Sequence, residues 1–485
     1  MKKNYSRRNF LKAAAAGTAA VAVVPSILTG CSRKPTGTYA GPKKISSPDG
    51  KVNMAFVGIG FRGGEDFECF EKTGMINVVG LCDVDMGAEH TRKVMDAYPD
   101  VPRYKDFRIM FEELKDKIEA VCIATPDFSH FAICIAAMRY GFHVYVEKPL
   151  ARTFTECELL MAAEKKYGVV TQMGNQGHSE ANYYQFKAWK EAGIIKDVTS
   201  VTAHMNSSRR WHKWNPKITA YPAGQPMPEN MDWDVWLMQS HPREYHDDYH
   251  RGQWRCWYEL GMGALGDWGA HLIDTCHEFL ELGLPYEVDP ILLKDHNPFF
   301  YPMSTTLKFR FLERNGMPAM DIDWYDGLDN IPSVPEGYGV SEIDPNIPAV
   351  AGGKIQPASL NPGKEIYMKS GLILKGGSHG SALSMIPGPE ADKWEGKLPE
   401  YPETHSNHYE NFLLAIAGKE EAHSRFSVSA PLSQVFCLGV IAQWTGHKIL
   451  FDRETKQITN DPVANQLLWG PTPRAGWEEF YKAEL

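Results

Sequence analysis

Asp267 and His271 stand four residues apart in "GDWGAHLID", so a helix would carry them on one face. An imidazole that takes a hydroxyl proton near neutral pH is what hydride abstraction from a secondary alcohol needs. A carboxylate beside it can orient the ring or hold a neighbouring sugar hydroxyl. Taken alone, the pair reads first as an ordinary contact on a helix surface. Lys148 in "VEKPL" adds an ammonium next to Glu147 and Pro149, at the end of an apolar run. An ammonium at a strand's C-terminal end can hydrogen-bond a reacting hydroxyl and ease its deprotonation. Asp274 completes the stretch and reads as structural support.

Those side chains need a scaffold, and their surroundings describe one. "VNMAFV" is a short apolar run suited to a buried strand. Gly58, Gly60 and Gly63 form GxGxxG directly after it, with Phe61 and Arg62 inside the turn. "EDFECFEKT" reads as a helix, and "INVVGLCDVD" as a second strand ending at Asp83, 23 residues after Gly60. Strand, glycine turn, helix, strand and acidic tip make the full dinucleotide context. The glycines let the backbone approach a pyrophosphate lying on the helix N-terminus. Asp83 can bind both hydroxyls of the adenosine ribose, and its charge would repel a 2'-phosphate. NAD is therefore expected over NADP, with Arg62 the residue that pulls the other way. A second GxGxxG, at Gly261, Gly263 and Gly266, has no apolar strand before it and no acidic tip after it. It reads as a tight approach to a helix starting near Asp267. Further on, "KIEAVCIATP", "HVYVEKP" and "VVTQMGNQ" alternate with the helical "HFAICIAAMRYG" and "TFTECELLMAAEKKYG". Such alternation predicts a doubly wound parallel sheet over residues 52–173.

With "GIGFRGG", "CDVD", "ATPDFSH", "EKPLA", "GNQ" and "GDWGAHLID" in this order, the chain resembles the glucose-fructose oxidoreductase, inositol dehydrogenase and rhizopine-catabolism family of NAD(P)-dependent oxidoreductases. The resemblance implies an α/β Rossmann domain followed by an α+β domain, residues 174–485, with a large, open, mostly antiparallel sheet. "VTSVTAHMN" and "TTLKFRFLE" show the alternation of such strands, while "HSNHYENFLLAIAG" and "PLSQVFCLGVIAQWTG" look like late helices. The resemblance places Thr125, Pro126 and His130 beside the nicotinamide ribose, gives Glu147 and Lys148 a place at the cofactor, and makes Lys148, Asp267 and His271 the catalytic group. Asn175 and Gln176 read as hydroxyl binders or as loop stabilisers. Seven tryptophans fall between Trp211 and Trp268, where rings and interspersed polar groups suit carbohydrate. Trp254 and Arg255 are the candidates there, although at least half of these rings are expected to cover core. His241, His246 and His250 share no fixed helical face, and the family's chemistry needs no metal, so no metal site is expected.

The chain opens "MKKNYSRRNFLKAAAAGTAAVAVVPSILTGC". Arg7 and Arg8, a weakly apolar run and "LTGC" before Cys31 resemble a twin-arginine signal with a lipoprotein cleavage box. Residues 1–30 are read as the signal, Cys31 as the lipidated residue, and 31–51 as a polar tether. No later segment is read as a membrane-spanning helix. A net charge of -9 without a basic run argues against nucleic acid. The other eight cysteines show no CxxC or metal spacing and read as buried free thiols.

Export gives the cofactor reading a consequence. The twin-arginine route carries folded protein, and outside the cytoplasm there is no NAD pool to exchange with, so the bound nicotinamide is expected to be recycled in place. The expectation is a dehydrogenase acting on a sugar, glycoside or cyclitol hydroxyl, on the periplasmic face of a membrane, as a homo-oligomer. A redox-neutral glycosidase (oxidation, elimination, hydration, reduction) is the alternative; "GDWGAH" is the dehydrogenase-like pattern, and that glycosidase group's "THxLGP" is absent. A non-catalytic sugar-binding lipoprotein is a third reading, disfavoured by the presence of both Lys148 and His271.

Overall fold

A computed structural model describes residues 39, 41–206, 215–250, 252–338 and 360–482 of the 485-residue chain. The signal, Cys31, Trp211 and Trp214 lie outside them.

Six parallel strands form the first sheet: β1 (Val52–Val57), β2 (Ile76–Cys82), β3 (Arg103–Tyr104), β4 (Ala120–Ile123), β5 (His143–Glu147) and β6 (Thr171–Gly174), in the order β3-β2-β1-β4-β5-β6. β4 and β5 are buried on every residue, as expected of strands covered on both faces. Register positions the site. Val57 pairs with Cys82 on one side and Ile123 on the other; Ile123 pairs with Val146, and Val146 with Met173. Residues 58, 83, 124, 147 and 174 therefore fall in one row along the sheet's C-terminal edge. The connecting helices carry their own signals. Phe154–Tyr167 starts in a capping box: Thr153 Oγ1 accepts from Glu156 N at 3.2 Å and the Glu156 carboxylate accepts from Thr153 N at 3.1 Å. Such a cap contributes about 1 kcal/mol.

The second sheet has nine strands: β7 (Val198–Met205), β8 (Glu287–Lys294), β9 (Ser304–Phe311), β10 (Met320–Asp326), β11 (Gly363–Met368), β12 (Ile373–Gly377), β13 (Ser384–Met385), β14 (Ile449–Asp452) and β15 (Gln457–Ile458). Their order is β13-β12-β11-β7-β10-β9-β8-β14-β15. β7 and β10 run parallel, and every other neighbouring pair runs antiparallel. Along β10, Met320, Ile322 and Trp324 alternate inward. The helices Gly263–Leu272 and Phe426–Thr445 cover that face. Gly439 of the longer helix lies so close that a Cβ there would stand 2.5 Å from Leu265 and 2.8 Å from Phe309.

The described chain adds to three expectations. Phe426–Thr445 is long and apolar enough to cross a membrane, contrary to the reading of the sequence, but its side chains are mostly buried inside the protein, as in a core helix. The described part of the polar tether contacts the first domain: Tyr39 Oη donates to Tyr167 O, Lys43 N to Gly141 O at 2.8 Å, and Ser46 N and Oγ both reach Glu119 at 2.6 Å. A division at residue 173/174 follows the two sheets, and one later helix crosses it. Tyr409, Phe412 and Leu413, from the helix His408–Ile416, share a core with Val52, Phe56 and Phe70 of the first domain.

Candidate active site

The cleft runs along the C-terminal edge of the first sheet and has a volume of about 310 Å³. One end is the glycine turn. Gly58, at φ +82°, passes Ala124 so closely that a Cβ would stand 2.4 Å from its carbonyl oxygen. Gly63 does not line the cleft; a Cβ there would stand 2.1 Å from Gly58 O, so this glycine sets how closely the helix Arg62–Lys72 approaches β1. That helix begins without a side-chain cap; Gly63 N donates to Gly60 O at 2.9 Å and Glu65 N to Phe61 O at 3.2 Å within the turn. An uncapped N-terminus suits an anion such as a pyrophosphate. Asp83 lies on the same wall, held by Ile59 N at 3.0 Å and Asp85 N at 3.0 Å. Donor amides at one point and a fixed carboxylate at the next fit NAD. Phe61 stacks on His90 with centroids 4.8 Å apart.

Arg62 does not point at the place of a 2'-phosphate. Its guanidinium meets Glu147 at 3.1 Å, Glu65 at 2.9 Å and Asp66 at 2.7 Å, and donates to Tyr409 Oη at 2.8 Å. Burial pushes the Asp66 carboxyl up to about 7 against the pull of Arg62. Burial also opposes ionisation of Glu147, but Arg62, Lys148 and Gln176 outweigh it and hold the group below the usual carboxylate range. This cluster absorbs the Arg62 charge, which removes the argument for NADP.

The other end holds four alternating charges. Lys148 Nζ donates to Asp267 Oδ1 at 2.7 Å and to Asp267 O at 3.0 Å. Arg255 Nε lies 3.5 Å from the same carboxylate, and its Nη1 lies 2.9 Å and 3.1 Å from the two Asp127 oxygens. All four residues are buried or nearly so. Removing one member would leave a buried charge uncompensated, at a cost of about 3–5 kcal/mol. Burial pushes the Lys148 ammonium below its ordinary range; Asp267 resists and Arg255 adds to it. An ammonium lowered in this way hydrogen-bonds a hydroxyl and gives up a proton more readily than a solvated one.

The helix Gly263–Leu272 starts four residues before Asp267, not near it, and carries Asp267 and His271 one turn apart. Its glycines are packing glycines: a Cβ on Gly263 would stand 2.7 Å from the Tyr301 ring, and one on Gly269 2.7 Å from Phe436. His271 reaches the cleft, and its Nδ1 is buried without a hydrogen-bond partner. Burial holds this imidazole well below its ordinary value, and His379 and Lys148 add to the effect. The ring is therefore neutral at neutral pH and available as a proton acceptor. Asp267 holds the ammonium through Lys148 and faces Arg255, and its charge also raises the proton affinity of the His271 imidazole.

His379 is a cleft residue that the sequence reading missed. It sits at φ +53° in the turn joining β12 to β13, and its ring stacks on His271 with centroids 4.0 Å apart. "GGSHGSA" resembles any glycine-rich turn, and nothing local points across the fold to residue 271.

The remaining candidates divide. Gly58, Gly60, Phe61, Arg62, Asp83, Thr125, Pro126, Glu147, Lys148, Gln176, Trp254, Arg255 and His271 line the cleft. Asp267 stands behind Lys148. His130 is fully buried away from the cleft, its ring nitrogens 2.8 Å from Pro149 O and 2.9 Å from Thr125 O; it braces both loops and is not a cofactor contact. Asn175 is likewise internal and accepts from Ser424 Oγ at 2.6 Å, whereas Gln176 donates to Glu147 at 2.8 Å. Of the described tryptophans in the rich region, Trp236 and Trp254 reach the cleft, while Trp257 and Trp268 are core. His241, His246 and His250 face three different carboxylates, Glu259, Asp248 and Asp85.

Comparison with known proteins agrees with this architecture. Residues 52–175 match the oxidoreductase family with an NAD-binding Rossmann fold, and residues 182–289 match that family's C-terminal α/β domain. Residues 4–24 match a twin-arginine translocation signal. An alpha-N-acetylgalactosaminidase of Shewanella oneidensis is 28% identical over 52% of this chain; the match spans 63% of that relative's length, less than two thirds. Two solved structures share the fold. One is the WlbA dehydrogenase of Bordetella pertussis in complex with NADH and UDP-GlcNAcA: 14% identical, TM-score 0.54, covering 83% of this chain and 98% of that one. The other is an aldose-aldose oxidoreductase of Caulobacter crescentus: 15% identical, TM-score 0.50, covering 83% and 100%.

Proposed function

The chain belongs to the glucose-fructose oxidoreductase, inositol dehydrogenase and rhizopine-catabolism family of NAD-binding oxidoreductases, and from that premise we propose that it oxidises a secondary hydroxyl of a carbohydrate with NAD held in the cleft. The observation that carries the reading is the Lys148–Asp267 ion pair at 2.7 Å, in the same cleft as His271, the glycine turn and Asp83. Bound NAD supplies the hydride acceptor and, after reduction, the donor. The chain's own residues do the rest. The glycine turn and the uncapped helix receive the diphosphate, and Asp83 receives the adenosine ribose. Lys148 Nζ, held by Asp267, hydrogen-bonds the reacting hydroxyl. His271, neutral because it is buried, takes the proton as the hydride departs. Trp254 and Arg255 give the sugar one apolar and one charged wall.

The likeness to the Shewanella oneidensis alpha-N-acetylgalactosaminidase supports a second reading, a redox-neutral glycosidase using the same cleft. The presence of Lys148 and His271 together in the cleft speaks against a binding protein without activity. The test is a spectral screen of the purified protein with free sugars, glycosides and cyclitols. Reduced nicotinamide without bond cleavage supports the dehydrogenase; cleavage of a glycoside without net redox change supports the glycosidase. No spectral change and no product with any of them would overturn both. The twin-arginine signal indicates export, and we read "LTGC" as an anchoring box that leaves the enzyme lipid-bound at Cys31. A homo-oligomer is part of the same proposal.

A further inference from the structure

One segment of the tryptophan-rich region both packs and lines the cleft: Met231, Trp236, Leu237 and Met238 are buried in the main core, and Trp236 and Met238 also face the cleft. Residues 228–250, containing the short helix Trp233–Leu237, cross the adenosine end of the cleft, opposite Asp83. Trp236, Met238 and His250 line the cleft from that side. The crossing is pinned on both flanks. On the Rossmann side, Asp232 N donates to Val84 O at 2.9 Å, immediately after Asp83, and Lys105 Nζ donates to Asn230 O at 2.7 Å. The Gln239 amide donates to Phe128 O, and the Trp236 ring meets Phe128 edge-on with centroids 5.2 Å apart. On the far side, a residue of the C-terminal tail holds the segment. Arg474 Nε donates to Met238 O at 2.7 Å and Nη2 to Asp234 O at 2.6 Å, while Arg474 N donates to Gln239 O at 3.2 Å.

We propose that residues 228–250 are a second cofactor-binding element: a cover over the adenosine half of NAD, latched by Arg474, that sets how fast the nucleotide enters and leaves. The inference rests on the NAD reading of the cleft and goes beyond it. The glycine turn, Asp83 and the uncapped helix bind one side of a dinucleotide and leave the other open. A segment with a bulky ring and a thioether on its inner side closes that space. Its pins lie outside both sheets and include the Arg474–Asp234 ion pair, while Trp236, Leu237 and Met238 anchor it in the core, so the cover is held by packing as well as by the latch. For an exported enzyme with no nucleotide to exchange, slow release is the useful property.

The test measures NAD release and capture by rapid mixing, following nucleotide fluorescence with reduced NAD as probe. Arg474 does not line the cleft, so Arg474→Ala alters the latch without altering a nucleotide contact. Release is expected to quicken at least about tenfold, since the variant loses the charge-assisted hydrogen bonds to Met238 O and Asp234 O and the ion pair with Asp234. Capture should quicken as well, so that affinity changes less than either rate. Unchanged release overturns the cover and leaves the NAD reading standing. Wild-type protein that binds no nucleotide overturns the NAD reading and the cover with it. Should the variant fail to fold, hydrogen exchange of the wild-type protein decides: amides of residues 228–250 should exchange more slowly with reduced NAD bound, and equal exchange with and without it overturns the proposal.

Discussion

His271 combines two conditions of a general base in a closed site: it reaches the cleft, and burial keeps it unprotonated. His379→Leu should separate these conditions. The groups facing His271 are His379 and Lys148, which lower its proton affinity, Asp267, which raises it, and Arg62, which lowers it. Because the wild-type ring is neutral well below its ordinary value, the rate of nicotinamide reduction should stay flat through neutral pH and fall only in acid. Removing the second imidazole relieves one lowering influence, so the acid limb should move up toward neutrality in stopped-flow pH profiles. An unmoved limb would leave His379 as a packing residue. His271→Ala should slow the same step by about a hundredfold or more, the scale of losing a general base, with NAD affinity retained. A wild-type rate in that variant would make His271 a bystander.

At the scale of elements, two junctions carry measurable consequences. Gly63 joins the helix Arg62–Lys72 to β1. Gly63→Ala puts a methyl against the Gly58 carbonyl, a backbone atom that cannot step aside. The helix must then shift, at a stability cost of about 1–3 kcal/mol, and NAD affinity should drop with it; calorimetric titration and denaturant unfolding check the two halves. The second junction is His178, in the 3-10 turn Gln176–Ser179, which reaches Asp274 at 3.3 Å and Glu278 at 2.6 Å on the helix following the site helix. Burial opposes its charge, but the two carboxylates prevail and push this imidazole up to about 9. Lys364, which faces the same pocket of charge, lowers Asp274 further. The folded value lies above the unfolded one, so the clasp stabilises fully below about pH 6.5 and its contribution is lost as pH rises toward about 9. Melting temperature should fall across that window, and His178→Gln should flatten the fall. An unchanged slope in the variant would assign the pH dependence to other groups.

At the scale of the whole molecule, the leader and the cofactor site imply each other. A folded chain with its nucleotide already bound is what the twin-arginine route can carry, and the proposed cover over the cleft would keep that nucleotide in place. Cys31→Ser should leave folding and nicotinamide reduction intact while releasing the protein from membranes, read by fractionation of cells expressing each form. Continued membrane attachment of the variant would place the anchor elsewhere.

Sequence by itself determined the local, periodic parts of this protein. The order of strands and helices around "GIGFRGG" and "CDVD", the acidic tip at Asp83, and the four-residue spacing of Asp267 and His271 are properties of short segments, and their physics acts over short segments. Partnership was decided only by the tertiary structure. Asp267 also holds Lys148 and Arg255, cations 119 and 12 positions away that its own stretch does not announce. Arg62 looked free for a phosphate and is spent on three carboxylates. His130 looked like a ribose neighbour and is sealed between two backbone carbonyls. His379, 108 positions after His271, entered the site through a hairpin with no signal of its own. The low-dielectric interior then fixed the protonation of His271, a property that depends on every charge packed around the ring and on how much water reaches it.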